Sequence, residues 1–183
     1  MEAITGIILA GGKSSRMGQD KGLIPLNGKP MIQHIIDPMA KICSRILIVT
    51  GNPMYGMFGF ELVADEAPDY GPVIGILSGL RISNTERNLV LSCDTPYITF
   101  DLLKELALKA DDADVVVASS NLGIHPLIST YNKSCIPTFE QAVAKNEHRL
   151  QTVLESCIVK KFNVSPSDEA LLKNINSKED LRA

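Results

Sequence analysis

Seven short apolar runs, rich in β-branched residues and separated by stretches of helical spacing, constrain this chain more than anything else in it. They fall at 6–10, 45–50, 61–63, 88–93, 114–118, 126–130 and 158–162. Runs of this length alternating with helices are the signature of βαβ units, so the expectation is an α/β fold whose sheet is mainly parallel and covered by helices on both faces. A length of 183 residues fits one domain with a full core, taken as 1–183. No repeat, low-complexity tract or linker divides the chain.

The helices are expected in the gaps. Pro30 suits a first-turn position for a helix running to about Cys43, with Met31, Ile35 and Met39 on one face. Pro72 opens the next, in which Gly71, Gly75 and Gly79 recur every four residues; close packing and ligand approach compete there, and the expectation gives Gly71 and Gly75 to a nucleotide and Gly79 to packing. Thr99 and Ser134 are expected N-caps of helices at 101–110 and up to Lys145, and Ser177 with Asp180 reads as a capping pair.

Composition removes several function classes. Eighteen basic against 21 acidic residues give a net charge of −3, which argues against a broad electropositive face for nucleic acid. No apolar run approaches the length of a bilayer span, and Glu2 stands where a signal peptide wants positive charge, so no membrane or export segment is read. Cys43, Cys93, Cys135 and Cys157 are widely spaced without a Cys-x-x-Cys, which fits reduced thiols in a cytoplasmic chain, with Cys93 a small core residue. His34 and His148 read as structural or solvated, and the acidic cluster Asp111, Asp112 and Asp114 as a helix-to-strand loop.

Two motifs carry chemistry. Between Leu9 and Lys21 the chain reads Leu-Ala-Gly-Gly-Lys-Ser-Ser-Arg-Met-Gly-Gln-Asp-Lys, directly after the first apolar run. Gly11 and Gly12 let backbone N–H groups approach an anion, while Lys13, Arg16 and Lys21 supply charge, a combination suited to polyphosphate. A solvated loop with ordinary lysines is the alternative. The run lacks the Gly-Lys-Ser/Thr ending of a P-loop and contains no Gly-x-Gly-x-x-Gly. The second motif is Ser92-Cys93-Asp94-Thr95-Pro96-Tyr97 at the end of the fourth run. A carboxylate at that depth needs a cation or hydrogen-bond donors, and either Mg²⁺ or an N-cap role before Pro96 satisfies it. In an open parallel sheet both motifs fall at the carboxyl ends of strands, where ligands collect.

Together with Leu26-Asn27-Gly28-Lys29-Pro30-Met31, Asp65, Asp69-Tyr70-Gly71-Pro72-Val73-Ile74-Gly75, His125-Pro126-Leu127 and Asn174-Ile175-Asn176, these blocks resemble the molybdenum cofactor guanylyltransferases, the MobA-like nucleotidyltransferases, in content and order from Gly6 to Leu181. The resemblance implies a three-layer Rossmann-like nucleotidyltransferase that moves GMP from GTP to the terminal phosphate of molybdopterin and releases pyrophosphate. It implies Arg16, Lys21 and Asp94 as catalytic residues, Asp94 as the Mg²⁺ ligand, and Leu9, Ala10, Gly11, Gly12, Lys21, Asp65, Gly71, Gly75 and Asp94 at the nucleotide. His125, Asn174 and Asn176 match its acceptor side. A related enzyme with another base or a sugar-phosphate acceptor is the nearest alternative, and a non-catalytic nucleotide- or cofactor-binding module is another. A molybdopterin-synthesis protein or a recipient molybdoenzyme is the implied protein partner. Asn52 is most simply a turn residue, with a base or ribose contact as the other reading. Leu172, Ser177-Lys178 and the segment 121–124, which lacks basic residues, depart from the family pattern.

Overall fold

The computed structural model describes residues 3–11, 20–64, 71–109, 113–177 and 179–180. All seven expected strands are present: β1 (Ile4–Leu9), β4 (Arg45–Val49), β5 (Glu61–Val63), β6 (Arg87–Ser92), β7 (Val115–Ser120), β8 (Gly123–Asn132) and β9 (Val159–Asn163). Two further strands, β2 (Pro25–Leu26) and β3 (Lys29–Pro30), form a separate small hairpin. The main sheet has the order β5-β4-β1-β6-β8-β7-β9. Each pair is parallel except those made by β8, which runs antiparallel to both β6 and β7. The exception has a local cause. Only Asn121 and Leu122 separate β7 from β8, and so short a connection can only join antiparallel neighbours.

Side-chain alternation along the strands builds the three layers. Ile8, Ile46, Ile48, Leu89, Leu91 and Val116 point to one face, where they meet α1 (Gln33–Met39) and α3 (Phe100–Leu108). Ile7, Leu9, Leu47, Val49, Val90 and Val115 point to the other, against α2 (Pro72–Ile82), α4 (Ile136–Ala144) and α5 (Leu150–Leu154). Both faces are apolar, as expected of a sheet buried on both sides. Cys93 lies in the first core layer, and burial pushes its thiol pKa up, in keeping with a packing role. None of the four cysteines forms a disulfide.

Two expected helix starts are corrected. Asn27 and Gly28 both adopt positive φ, 49° and 81°, the backbone of a two-residue hairpin turn. Pro30 therefore ends β3, and α1 begins only at Gln33. Met31, Ile35 and Met39 are nonetheless fully buried. Ser134 does not cap α4: its hydroxyl donates to Asp114 Oδ1, and the side chain of Asn132 caps the 3-10 turn Lys133–Cys135 that leads into the helix. Thr99 does cap α3, accepting from Leu102 N at 3.4 Å. Ser177 and Asp180 bond each other reciprocally, Ser177 N donating to Asp180 Oδ2 at 2.9 Å and Asp180 N to Ser177 Oγ at 3.3 Å.

Candidate active site at the carboxyl ends of β1, β4 and β6

Strand β1 lies between β4 and β6, so the chain leaves it toward opposite sides of the sheet, and a crevice opens beyond its carboxyl end. Hydrogen bonds extend past the strands into that crevice. Ala10 N donates to Val49 O at 2.9 Å, Cys93 N to Leu9 O at 3.0 Å, and Thr50 Oγ1 to Ala10 O at 2.9 Å. The backbone carrying Ala10, Thr50 and Asp94 is thereby fixed as one rim.

Asp94 stands on this rim with a side chain 13 % exposed, and nothing described in the turn before Pro96 receives its carboxylate. Its oxygens face across the crevice. Asn174 Nδ2 donates to Oδ1 at 3.3 Å, and the Lys21 ammonium lies 3.5 Å from Oδ2. The same ammonium donates to Asn176 Oδ1 at 2.8 Å. Between the two asparagines Ile175 N donates to the Asp94 carbonyl at 2.8 Å, while its side chain, fully buried, packs with Ile24, Leu26 and Met31 against the β2–β3 hairpin. The segment 173–176 thus lies as a strap over the rim, and its apolar residue pins two polar ones beside Lys21 and Asp94.

Asn174 and Asn176, expected on the acceptor side, are therefore brought into contact with the charged pair itself. His125 is not. It pairs with Ala118 of β7 after a bulge in which Pro126, Leu127 and Ile128 bow away from that strand, and its Nε2 hydrogen-bonds Ser120 Oγ at 2.9 Å. Ile128 pairs with Leu91, so the antiparallel course of β8 brings His125 toward the Asp94 end of β6. Burial lowers the His125 pKa, opposed by Glu169, which favours the neutral imidazole.

Gly71 precedes α2 with φ 62° and ψ −159°, a conformation an L side chain rarely adopts. Gly75 and Gly79 are both buried on the packing face of α2. A Cβ at Gly79 would stand 2.6 Å from Ile7 Cγ2, as the packing expectation requires, and one at Gly75 would stand 3.2 Å from Leu9 Cδ2, so the second position also serves helix-to-sheet contact. Leu9 itself points into the α2 layer, whereas Gly11 is exposed at the end of β1. Arg16, Gly12 and Asp65 lie outside the described residues, as do Lys13 and Asp69.

Asp20 is the feature that motif reasoning passes over. Its carboxylate accepts from Tyr55 Oη, from Asn52 Nδ2 at 3.0 Å and from Gly22 N at 3.3 Å. Asn52 caps the 3-10 turn Pro53–Phe58 through Met54 N at 3.0 Å, which bears out its reading as a turn residue. The sequence signal for Asp20 is only its place before a lysine; its two side-chain partners, Asn52 and Tyr55, lie 32 and 35 positions away.

A lysine and a carboxylate brought together at the switch point of a mainly parallel sheet are the arrangement of a nucleotidyltransferase. The family profile described as the MobA-like NTP transferase domain matches residues 6–161. The chain is 38 % identical to a "probable molybdenum cofactor guanylyltransferase" of Flavobacterium johnsoniae, over 99 % of this chain and 96 % of the relative. It is 33 % identical to a molybdenum cofactor guanylyltransferase of Serratia proteamaculans, over 98 % and 92 %. The crystal structure of a molybdopterin-guanine dinucleotide biosynthesis protein A from Archaeoglobus fulgidus superposes with a TM-score of 0.83 at 21 % identity, covering 97 % of this chain and 95 % of that one, a likeness of fold. The chain belongs to the MobA-like NTP transferase family.

Proposed function

We propose that this enzyme transfers GMP from GTP to the terminal phosphate of molybdopterin, releasing pyrophosphate. The observation that carries the reading is the joint placement of Lys21, Asp94, Asn174 and Asn176 at the sheet's switch point. The full-length similarity to guanylyltransferases supports the choice of substrates.

The reaction asks little of the protein in proton transfer. A phosphomonoester, with its second pKa at about 6, is largely dianionic at neutral pH, so its oxygen is already a nucleophile. That oxygen attacks the α-phosphorus, the new P–O bond forms, and the bond to the β-phosphate oxygen breaks with its electron pair leaving on pyrophosphate. What the site supplies is position and neutralised charge. Lys21 would face the triphosphate and the departing pyrophosphate, Arg16 would add charge from the same loop, and backbone N–H groups of Gly11 and Gly12 would orient the phosphates. Leu9 and Ala10 would lend backbone to the nucleotide pocket, Asp65 would serve the ribose or the metal, and Gly71 would admit the nucleotide at the start of α2.

The donor set fits Mg²⁺. Asp94 is a hard oxygen ligand at the rim whose contacts, at 3.3 and 3.5 Å, are long, which suits an ion held by one or two carboxylates together with substrate phosphates. When bound, Mg²⁺ would supply Lewis-acid neutralisation of phosphate oxygens. His125, Asn174 and Asn176 would present hydrogen-bonding groups to the acceptor, the asparagines from a place where they also hold the charged pair. Free thiols suit the reducing cytoplasm, where we place the enzyme, and a molybdopterin-synthesis protein or recipient molybdoenzyme would exchange the acceptor or product with it.

The test is incubation with molybdopterin, Mg²⁺ and each nucleoside triphosphate in turn, with products identified by mass. A GMP adduct of molybdopterin and stoichiometric pyrophosphate are expected. Turnover only with another base or with a sugar phosphate would move the enzyme to a different branch of the superfamily, and nucleotide binding without pyrophosphate release would make it a carrier.

A further inference from the structure

Tyr55 is fully buried in the α1/α3 core layer, where nearly every neighbour is apolar and its ring packs against Phe58 at a centroid distance of 6.1 Å. A phenylalanine would fill the same space. The hydroxyl has one acceptor, the carboxylate of Asp20, and a Cβ at Gly22 would collide with that same hydroxyl. Asp20 and Gly22 thus close around the phenol from both sides, and the residue between them is Lys21. Asn52 completes the arrangement: its side chain is fixed at one end by Met54 N at 3.0 Å and donates from the other to Asp20 at 3.0 Å. Burial raises the Tyr55 pKa, so the phenol keeps its proton to donate.

We propose that Tyr55 and Asp20, with Asn52, form a clamp anchored in the core by Tyr55 that fixes the backbone of Lys21 and so acts as a positioning device for its ammonium. The inference rests on the reading of Lys21 as a phosphate-neutralising residue. Lysine has a flexible four-carbon stem, and its ammonium next to a carboxylate tends to close to a direct ion pair. Here the ammonium is shared: it sits 2.8 Å from Asn176 Oδ1 and pairs with Asp94 Oδ2 at 3.5 Å. The clamp anchors the stem at one end and Asn176 engages the ammonium at the other. The ammonium is thereby held beside the Asp94 carboxylate on the rim. A charge-assisted hydrogen bond at the edge of the core suits an anchor, because it is directional and costly to leave unmade.

Tyr55→Phe removes the hydroxyl and keeps the ring, so the fold is expected to survive. Misplacement by about 1 Å of a group that stabilises the transition state costs up to about 10²-fold. The expected result is a kcat lowered about 10-fold or more with KM for GTP changed much less. Asp20→Asn, which keeps shape and weakens the acceptor, is expected to act in the same direction. The decisive comparison is Tyr55→Phe made in a Lys21→Ala background. If the hydroxyl acts through Lys21, the second change lowers kcat no further; equal fold losses in both backgrounds would overturn the proposal. Amide hydrogen exchange of the free protein reads the clamp without any substrate, and Tyr55→Phe is expected to speed exchange across 20–26. Unchanged exchange there would overturn the clamp whatever nucleotide is used, and faster exchange with unaltered kcat would reduce it to a structural bond. Absence of guanylyl transfer by the wild type would instead count against the substrate reading. The kinetic comparison would then run on whichever triphosphate releases pyrophosphate.

Discussion

Lys21 and Asp94 form an ion pair at 3.5 Å on the rim, and each also bonds a neutral amide, Lys21 to Asn176 and Asp94 to Asn174. Asp94→Asn preserves shape while removing the anionic ligand, so the variant is expected to fold and to lose Mg²⁺-dependent turnover by about 10²-fold or more. A Mg²⁺ titration of pyrophosphate release measures this, and a folded variant with normal turnover would remove Asp94 from the metal. Base selection is a separate residue-scale question. Cytidylyl-transferring relatives that this chain resembles typically have Ala at the third position of Leu-Ala-Gly-Gly, where Gly11 stands exposed at the end of β1. A missing Cβ lets a purine lie close to the backbone, so Gly11→Ala is expected to lower the GTP-to-CTP preference, mainly by hurting GTP. Competition between the two at equal concentration checks it; an unchanged product ratio would place selection elsewhere. Lys21 and Asp94 are legible in the sequence because each sits in a short motif after an apolar run. Asn174 and Asn176 are legible as an acceptor-side block, but not their contact with this pair, since Asn176 is 155 residues from Lys21 and Asn174 is 80 from Asp94, separations that only the folded topology closes.

The strap and the β2–β3 hairpin show how short elements position the site. Ile175 shares its small apolar cluster with Ile24, Leu26 and Met31, apart from the two large core layers. Ile175→Ala is expected to cost about 2–5 kcal/mol locally and to lower kcat, because Asn174 and Asn176 on either side lose their fixed places. Leu80→Ala is the control: Leu80 is equally buried, but in the α2 layer near the end of that helix, and its loss should destabilise without changing kcat. Denaturant titration alongside turnover at a temperature where both variants are folded separates the two, and equal effects on kcat would deny the strap its positioning role. The seven main strands were legible because β-branched runs buried on both faces leave a strong compositional trace. The helix start at Pro30 was misread for a physical reason: Asn27-Gly28 is a hairpin signal that outranks proline's preference for a first helical turn. Ser134 misled similarly, since its hydroxyl found Asp114 rather than a helix end.

At the scale of the molecule, the seven strands form one uninterrupted sheet, and each core layer spans several strands: Ile4 to Val116 and Ala118 on one face, Ile7 to Val115 on the other. No hydrophobic layer is confined to one half, so loss of either half would expose apolar surface of the other. The chain is therefore expected to unfold in a single cooperative calorimetric transition; two resolved transitions would divide it into separate units. The crevice couples to that transition, because it is assembled from residues as far apart as Lys21 and Asn176 and exists only when the sheet is closed. A ligand binding only the folded state adds about 2.7 kcal/mol at a free concentration of 100 Kd. For a protein of this size each kcal/mol moves the midpoint by about 2–4 °C, so GTP with Mg²⁺ is expected to raise Tm by roughly 5–10 °C. Asp94→Asn should retain only the rise that GTP gives without metal, since the carboxylate that would hold the ion is lost. Scanning calorimetry of both proteins with GTP, with and without Mg²⁺, makes the comparison. An equal Mg²⁺-dependent increment in the two would show that the metal stabilises the complex from some other ligand, and Asp94 would then be a structural partner of Asn174 and Lys21 alone.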